Sequence, residues 1–249
     1  MIYDGSTALV GPDSSVSGVH VLSGTLEVAG LASGTVVLGS SFYGYPSGYN
    51  TPTAFEHVLS GGTEKSASVT AGQLTVDQGG TVSSAAVTSS TLNVDGGTID
   101  TLSGSAFSAT IDNGGAIHSM VASGARISLG NGTITSGQFS QYTAVILSED
   151  SHLVSSLVES GTSLTMHSGA TLEDVTIGNG GSVIFASSGD YSTVTDADLT
   201  GLSMSGGVIS PGSGTTVSGL HIPANATLSI GPGTAATGTV ITSSSESIS

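Results

Sequence analysis

A short apolar–polar–apolar motif returns along nearly the whole chain, and this repetition restricts the fold more than any other feature. It occurs at Val19-His20-Val21, Val36-Val37-Leu38, Glu56-His57-Val58, Leu74-Thr75-Val76, Leu92-Asn93-Val94, Ala109-Thr110-Ile111 and Ile127-Ser128-Leu129. It continues at Val145-Ile146-Leu147, Leu164-Thr165-Met166, Val183-Ile184-Phe185, Leu202-Ser203-Met204 and Leu228-Ser229-Ile230. The eleven intervals from Val21 to Ile230 average 19 residues. Alternation with a period of two marks a short strand with one buried face. A turn signal follows many triplets, as at Gly61-Gly62, Gly79-Gly80, Gly96-Gly97, Gly114-Gly115 and Asn131-Gly132. Glycine there supplies the positive φ of a tight corner. A weaker apolar cluster follows each corner, such as Val82 with Val87, Ile117 with Val121, Leu153 with Leu157 and Leu172 with Val175.

One such coil has too few residues to bury its own apolar side, whereas stacked coils bury it against each other at about 4.8 Å per rung. The repeat therefore predicts an all-β fold, a right-handed parallel β-helix (β-solenoid) of about 12 coils with a repeat of about 19 residues. Val76, Val94, Ile111, Leu129, Leu147, Met166, Phe185 and Met204 are expected in its interior. Residues 1–15 read as an N-terminal start, 16–241 as a single solenoid containing an aromatic-rich coil at 41–55, and 242–249 as a polar tail. Composition agrees with strands and corners. Ser and Thr supply 77 of 249 residues and Gly another 38, all poor choices for helix interiors. At 37% hydrophobic residues and a mean hydropathy of +0.30, the chain is too apolar for a solvated coil.

Charge removes several functions. Eighteen acids face only Lys65 and Arg126, a formal charge of −16. Two cations do not make the basic patch that nucleic acid requires, nor one for an anionic membrane surface. No run of about 18 apolar residues occurs that would cross a membrane as a helix. The opening Met1-Ile2-Tyr3-Asp4 lacks the basic residues and apolar stretch of a signal peptide. Without cysteine there is no disulfide, thiolate metal site or thiol nucleophile.

The corners of Ser60 to Thr63, the following Val69, and Gly72-Gln73-Leu74-Thr75-Val76 resemble the repeats of AIDA-type autotransporter passengers, a likeness that covers most of residues 16 to 235. The resemblance implies an exported β-helix at the bacterial cell surface, used in self-association, adhesion and biofilm formation. It also implies O-linked sugar on repeat Ser and Thr residues in some members.

Residues with chemistry are sparse. Polysaccharide lyases of β-helical shape use a basic residue beside an acid cluster, but Arg126 and Lys65 lie more than three coils apart. The pairs Glu149-Asp150, Glu173-Asp174 and Asp196/Asp198 read as solvated corners, with a hydrolase carboxylate pair as the competing reading. There is no Gly-x-Ser-x-Gly elbow and no phosphate loop. His20 and His57 share the outward middle position of their triplets, two rungs apart, too far to share a metal. Asp77, Asp95 and Asp112 each follow an interior residue on successive coils. They read as side-chain caps of the corners or as a weak Ca²⁺ site. Phe42, Tyr43, Tyr45, Tyr49 and Phe55 concentrate five of the eleven aromatics in one coil, either as core plugs or as a patch that stacks on sugar or protein.

The expectation is a non-enzymatic extracellular structural or adhesive β-solenoid, without cofactor beyond weak Ca²⁺. Its expected partners are other copies of itself and cell-surface or matrix polysaccharide, with neither nucleic acid nor membrane insertion. A subunit of an end-to-end filament is the alternative, and a polysaccharide-active enzyme a third reading.

Overall fold

The structure, a computed structural model, describes residues 1–3, 5–39, 54–167, 169–178 and 180–185, and beyond these 203–204, 207–210, 216–218, 221–222, 226–230, 235–238, 240–241 and 247–248. Among the described residues there are strands, turns and bends but no helix. The chain divides into two compact units, Met1–Ser119 and Met120–Ser249.

In the first unit, six strands pair in parallel as one sheet: Ser6–Val10, Gly24–Val28, Ala54–Val58, Gln73–Asp77, Thr91–Asp95 and Ser108–Asp112. Their register is direct, so Val10, Val28, Val58, Val76, Val94 and Ile111 form one interior column. Two residues earlier, Leu26, Glu56, Leu74, Leu92 and Ala109 form a second buried column. Between them, Leu9, Glu27, His57, Thr75, Asn93 and Thr110 make the outer ladder. Two further faces close each coil. On one, Val16, Ala32, Glu64, Val82 and Ile99 are stacked; on the other, Val21, Val37, Val69 and Val87.

The second unit repeats the scheme. Arg126–Leu129, Ala144–Leu147, Ser163–Met166 and Ser182–Phe185 stack in register, followed by Gly207–Ser210 and Ala226–Ile230. Ile127, Val145, Leu164 and Val183 are buried there in one column, and Leu129, Leu147 and Met166 in the next. Ile134, Leu153 and Leu172 line a second face; Phe139, Val158 and Ile177 line a third.

The β-solenoid expected from the repeat is thus the observed fold, and Val76, Val94, Ile111, Leu129, Leu147 and Met166 are buried as expected. The side chains of Phe185 and Met204 lie outside the described residues. The coil count differs modestly from twelve, and three of the triplets belong to another face. His20–Val21 pairs with Val36–Val37, and Ser203–Met204 pairs with Thr176–Ile177. The rung beneath Ala54–Val58 is Gly24–Val28. In Thr35–Leu38 it is Val37 that points inward, while Leu38 is 41% exposed. His20 and His57 accordingly sit on different faces rather than two rungs apart.

Corners take up many of the hydroxyls. Ser90 Oγ donates to the carbonyls of Thr88 (2.7 Å) and Val69 (3.0 Å), and Thr143 Oγ1 to that of Ser140 (2.6 Å). Ser156 Oγ donates to Val154 O at 2.8 Å and accepts from Gly137 N at 2.8 Å. The buried corner hydroxyls are satisfied in this way. At Asp112-Asn113-Gly114-Gly115 the two glycines divide the work. Gly114 holds φ at +78°, and a Cβ on Gly115 would come within 2.5 Å of Val94 O.

Removing a column residue should be costly while removing its outward neighbour should not. Leu92→Ala is expected to lose about 2–5 kcal/mol of stability in urea unfolding. Asn93→Ala, one residue away on the outer ladder, is expected to change it by less than about 1 kcal/mol. Equal losses from the two would contradict the inward and outward assignments.

Candidate functional site

A concavity in the first unit lies on the outer ladder. Thr75, Asn93, Val94, Asp95, Thr110, Asp112 and Asn113 line a cleft of about 330 Å³. Parallel pairing builds it, because every rung presents the same position to solvent at the strand spacing. Thr75, Asn93 and Thr110 stack as one row; Asp77, Asp95 and Asp112 stack as the next, at the strand ends. The acidic column inferred from sequence is therefore real, and its members stand in direct register.

Its chemistry is more local than either sequence reading. Asp77 Oδ2 lies 2.8 Å from His57 Nε2 of the preceding rung, and Asp95 Oδ1 accepts from Asn113 Nδ2 of the following one. The corners are closed by backbone instead. Gly80 N donates to Asp77 O at 2.8 Å, and Gly115 N to Asp112 O at 2.8 Å. Asn113 adopts a left-handed φ of 53°, which carries its amide back towards Asp95. Like charges on neighbouring rungs are thus interleaved with an imidazole and an amide. Among the described residues, no group of three or more His, Asp or Glu side chains converges on a point that would hold a metal ion. A second outward pair, His118 Nδ1 and Asp100 Oδ1 at 3.1 Å, repeats the His–Asp arrangement between other coils of the unit.

Phe42, Tyr43, Tyr45 and Tyr49 lie outside the described residues, and Phe55 is half-buried on the outer side of its strand. The structure adds an aromatic that the sequence reading overlooked. Tyr142 is 85% exposed at a corner of the second unit, beside Gly161. It lies outside the aromatic-rich segment, so clustering gave no signal for it.

The other overlooked feature is internal. Glu56 and Glu64 are 1% and 0% exposed. Each occupies an interior column position, Glu56 between Leu26 and Leu74, Glu64 between Ala32 and Val82. Glu64 has two donors, Thr35 Oγ1 at 2.8 Å and the Ser66 amide at 2.8 Å. Neither oxygen of Glu56 accepts a hydrogen bond. Burial, and then the neighbouring Glu64 carboxylate, hold the Glu56 carboxyl well above the usual carboxylate range, against a smaller opposing pull from the Thr35 hydroxyl, whose proton is given to Glu64. A signal existed: Glu56 stands where the other triplets carry Leu, Ala, Ile or Val.

No protein-family description matches the chain, and no curated protein does. Solved structures do match, and they define its class as that of the parallel β-solenoids. One is the crystal structure of the TibC-catalysed hyper-glycosylated TibA55-350 fragment. It is similar with a TM-score of 0.70 at 16% identity, covering 98% of this chain and 85% of that one. At that identity the likeness concerns the fold.

With ligands converging in pairs only, Ca²⁺ should act on this face as a screening ion. Ca²⁺ and Mg²⁺ at equal ionic strength are expected to shift the thermal midpoint equally. A Ca²⁺-specific shift that disappears in Asp95→Asn would overturn this.

Proposed function

We propose that the chain is a non-enzymatic β-solenoid of the bacterial cell exterior that acts by adhesion and by association with copies of itself. The observation that carries this reading is the character of its outer faces. They present in-register rows of hydroxyls, such as Ser84 beside Thr101 and Thr88 beside Thr70, all exposed. Such rows offer many weak, repeated hydrogen bonds. The fold likeness to a hyper-glycosylated β-solenoid supports the same reading and adds modification. Exposed Ser and Thr of these rows are the proposed acceptors of O-linked sugar. An intact mass from the native host equal to the polypeptide mass would remove that part.

Association between copies would use uncharged contacts. At −16, two copies repel, and Lys65 and Arg126 supply few opposite-charge pairs, each worth about 0–1 kcal/mol when exposed. Hydroxyl rows, the tyrosines at 43, 45 and 49, and Tyr142 remain. Salt shortens the repulsion to roughly 8–10 Å near 0.1 M without weakening short-range contacts much. Self-association is therefore expected to strengthen as NaCl rises and as pH falls towards the isoelectric point of about 4.1. Replacing Tyr43, Tyr45, Tyr49 and Tyr142 with serine is expected to weaken it. Light scattering across a salt series provides the test, and association that dissolves steadily with added NaCl would refute the reading.

A further inference from the structure

We propose that Glu56 and Glu64 form a proton-linked latch, in which the coil spanning Ala54–Thr70 closes around one proton held between two buried carboxyls and loosens when that proton leaves.

The argument starts from donors and acceptors. An ionised carboxylate only accepts, so a buried one needs N–H or O–H groups aimed at it. Glu64 has them in Thr35 and Ser66. Glu56 has none, yet it is the side chain wedged between Leu26 and Leu74. A proton on Glu56 changes this at once: the carboxyl becomes a donor, and Glu64 is the acceptor beside it. One proton thus removes an unsolvated charge, relieves like-charge repulsion and supplies the missing hydrogen bond.

Among the described residues only the Thr35 hydroxyl also acts on Glu56, and its proton is given to Glu64 Oε2. The strands packed on Glu56 present Leu26 and Leu74; those packed on Glu64 present Ala32 and Val82. The third face contributes Thr35, Val37 and Val69, none titratable. The charged and titratable neighbours His20, Glu27, His57 and Lys65 belong to outer positions, with His57 turned to Asp77. Among the described residues, no cation reaches inside to compensate Glu56.

The sign follows from linkage. A carboxyl raised in the folded state binds more proton there than in the unfolded chain, so folding is most favourable below the unfolded value of about 4.3. Stability then falls as pH climbs from that value to the raised folded one, by about tenfold in the folding constant per pH unit, and levels off beyond it. Acidification tightens this coil, and neutral or alkaline conditions slacken it.

The experiment compares the full chain with Glu56→Leu, which continues the Leu26–Leu74 column, and with Glu56→Gln, which donates to Glu64 at every pH. Urea unfolding and amide exchange of Ala54–Thr70 would be followed from about pH 5 to about pH 8. The expected result is a native chain whose coil loses protection with rising pH, while both variants lose it less steeply; surface acids contribute alike to all three. Parallel pH profiles for native and substituted chains would overturn the proposal. Should neither variant fold, infrared spectra of the native chain decide. A protonated carboxyl band persisting near about pH 6, where exposed Glu is ionised, supports the latch, and its absence overturns it.

Discussion

Everything in this molecule depends on one interaction, the direct parallel pairing of each short strand with the strand one coil away. Strands of two to eight residues have no stability of their own. Their amides and carbonyls are satisfied mainly by neighbouring rungs, and their apolar side chains are buried mainly against equivalent positions above and below. Pairing in register makes both happen together. It also fixes the surface, since the operation that stacks Val76 on Val94 stacks Thr75 on Asn93 and Asp77 on Asp95. Core and candidate site are two sides of the same ladder.

That coupling explains what could be read from the chain and what could not. From Leu74 to Met166 the triplets gave strand, direction and inward residue correctly, because Gly-Gly or Asn-Gly corners punctuate most repeats there. Upstream the texture misled. Val19-His20-Val21 and Val36-Val37-Leu38 have the same alternation because all three faces of a coil need it. Alternation identifies a rung but not the face on which it lies. The missing cue was a corner: Gly24–Val28, the true partner of Ala54–Val58, begins with glycine and carries Glu27 at its outward position. Met204 illustrates the same confusion at the other end, standing on Ile177 rather than Phe185.

The site was half legible. Spacings of 18 and 17 residues brought Asp77, Asp95 and Asp112 into line in the sequence and in the structure alike. Their partners were not legible, because His57 and Asn113 reach the acids by side-chain direction and by a left-handed backbone, which spacing does not encode. The buried pair was hidden differently. Acidic residues are ordinarily assigned to the surface, and a triplet beginning with Glu56 passes as a degenerate rung. Only the closure of the coil, which carries Glu64 round to the same interior, turns two unremarkable acids into one shared environment.

Thirty residues separate Val28 from Val58, against eighteen from Val58 to Val76, yet both pairs stand in the same register. Contour length and lattice position are therefore independent in this architecture. A coil can lengthen between rungs without shifting any residue above or below it, provided the strand that follows returns in phase. Variation is thereby confined to single storeys. Such a chain can acquire, lose or exchange an excursion as a cassette, with the rest of the ladder indifferent to the change, and new recognition surfaces can be grafted without redesigning the core.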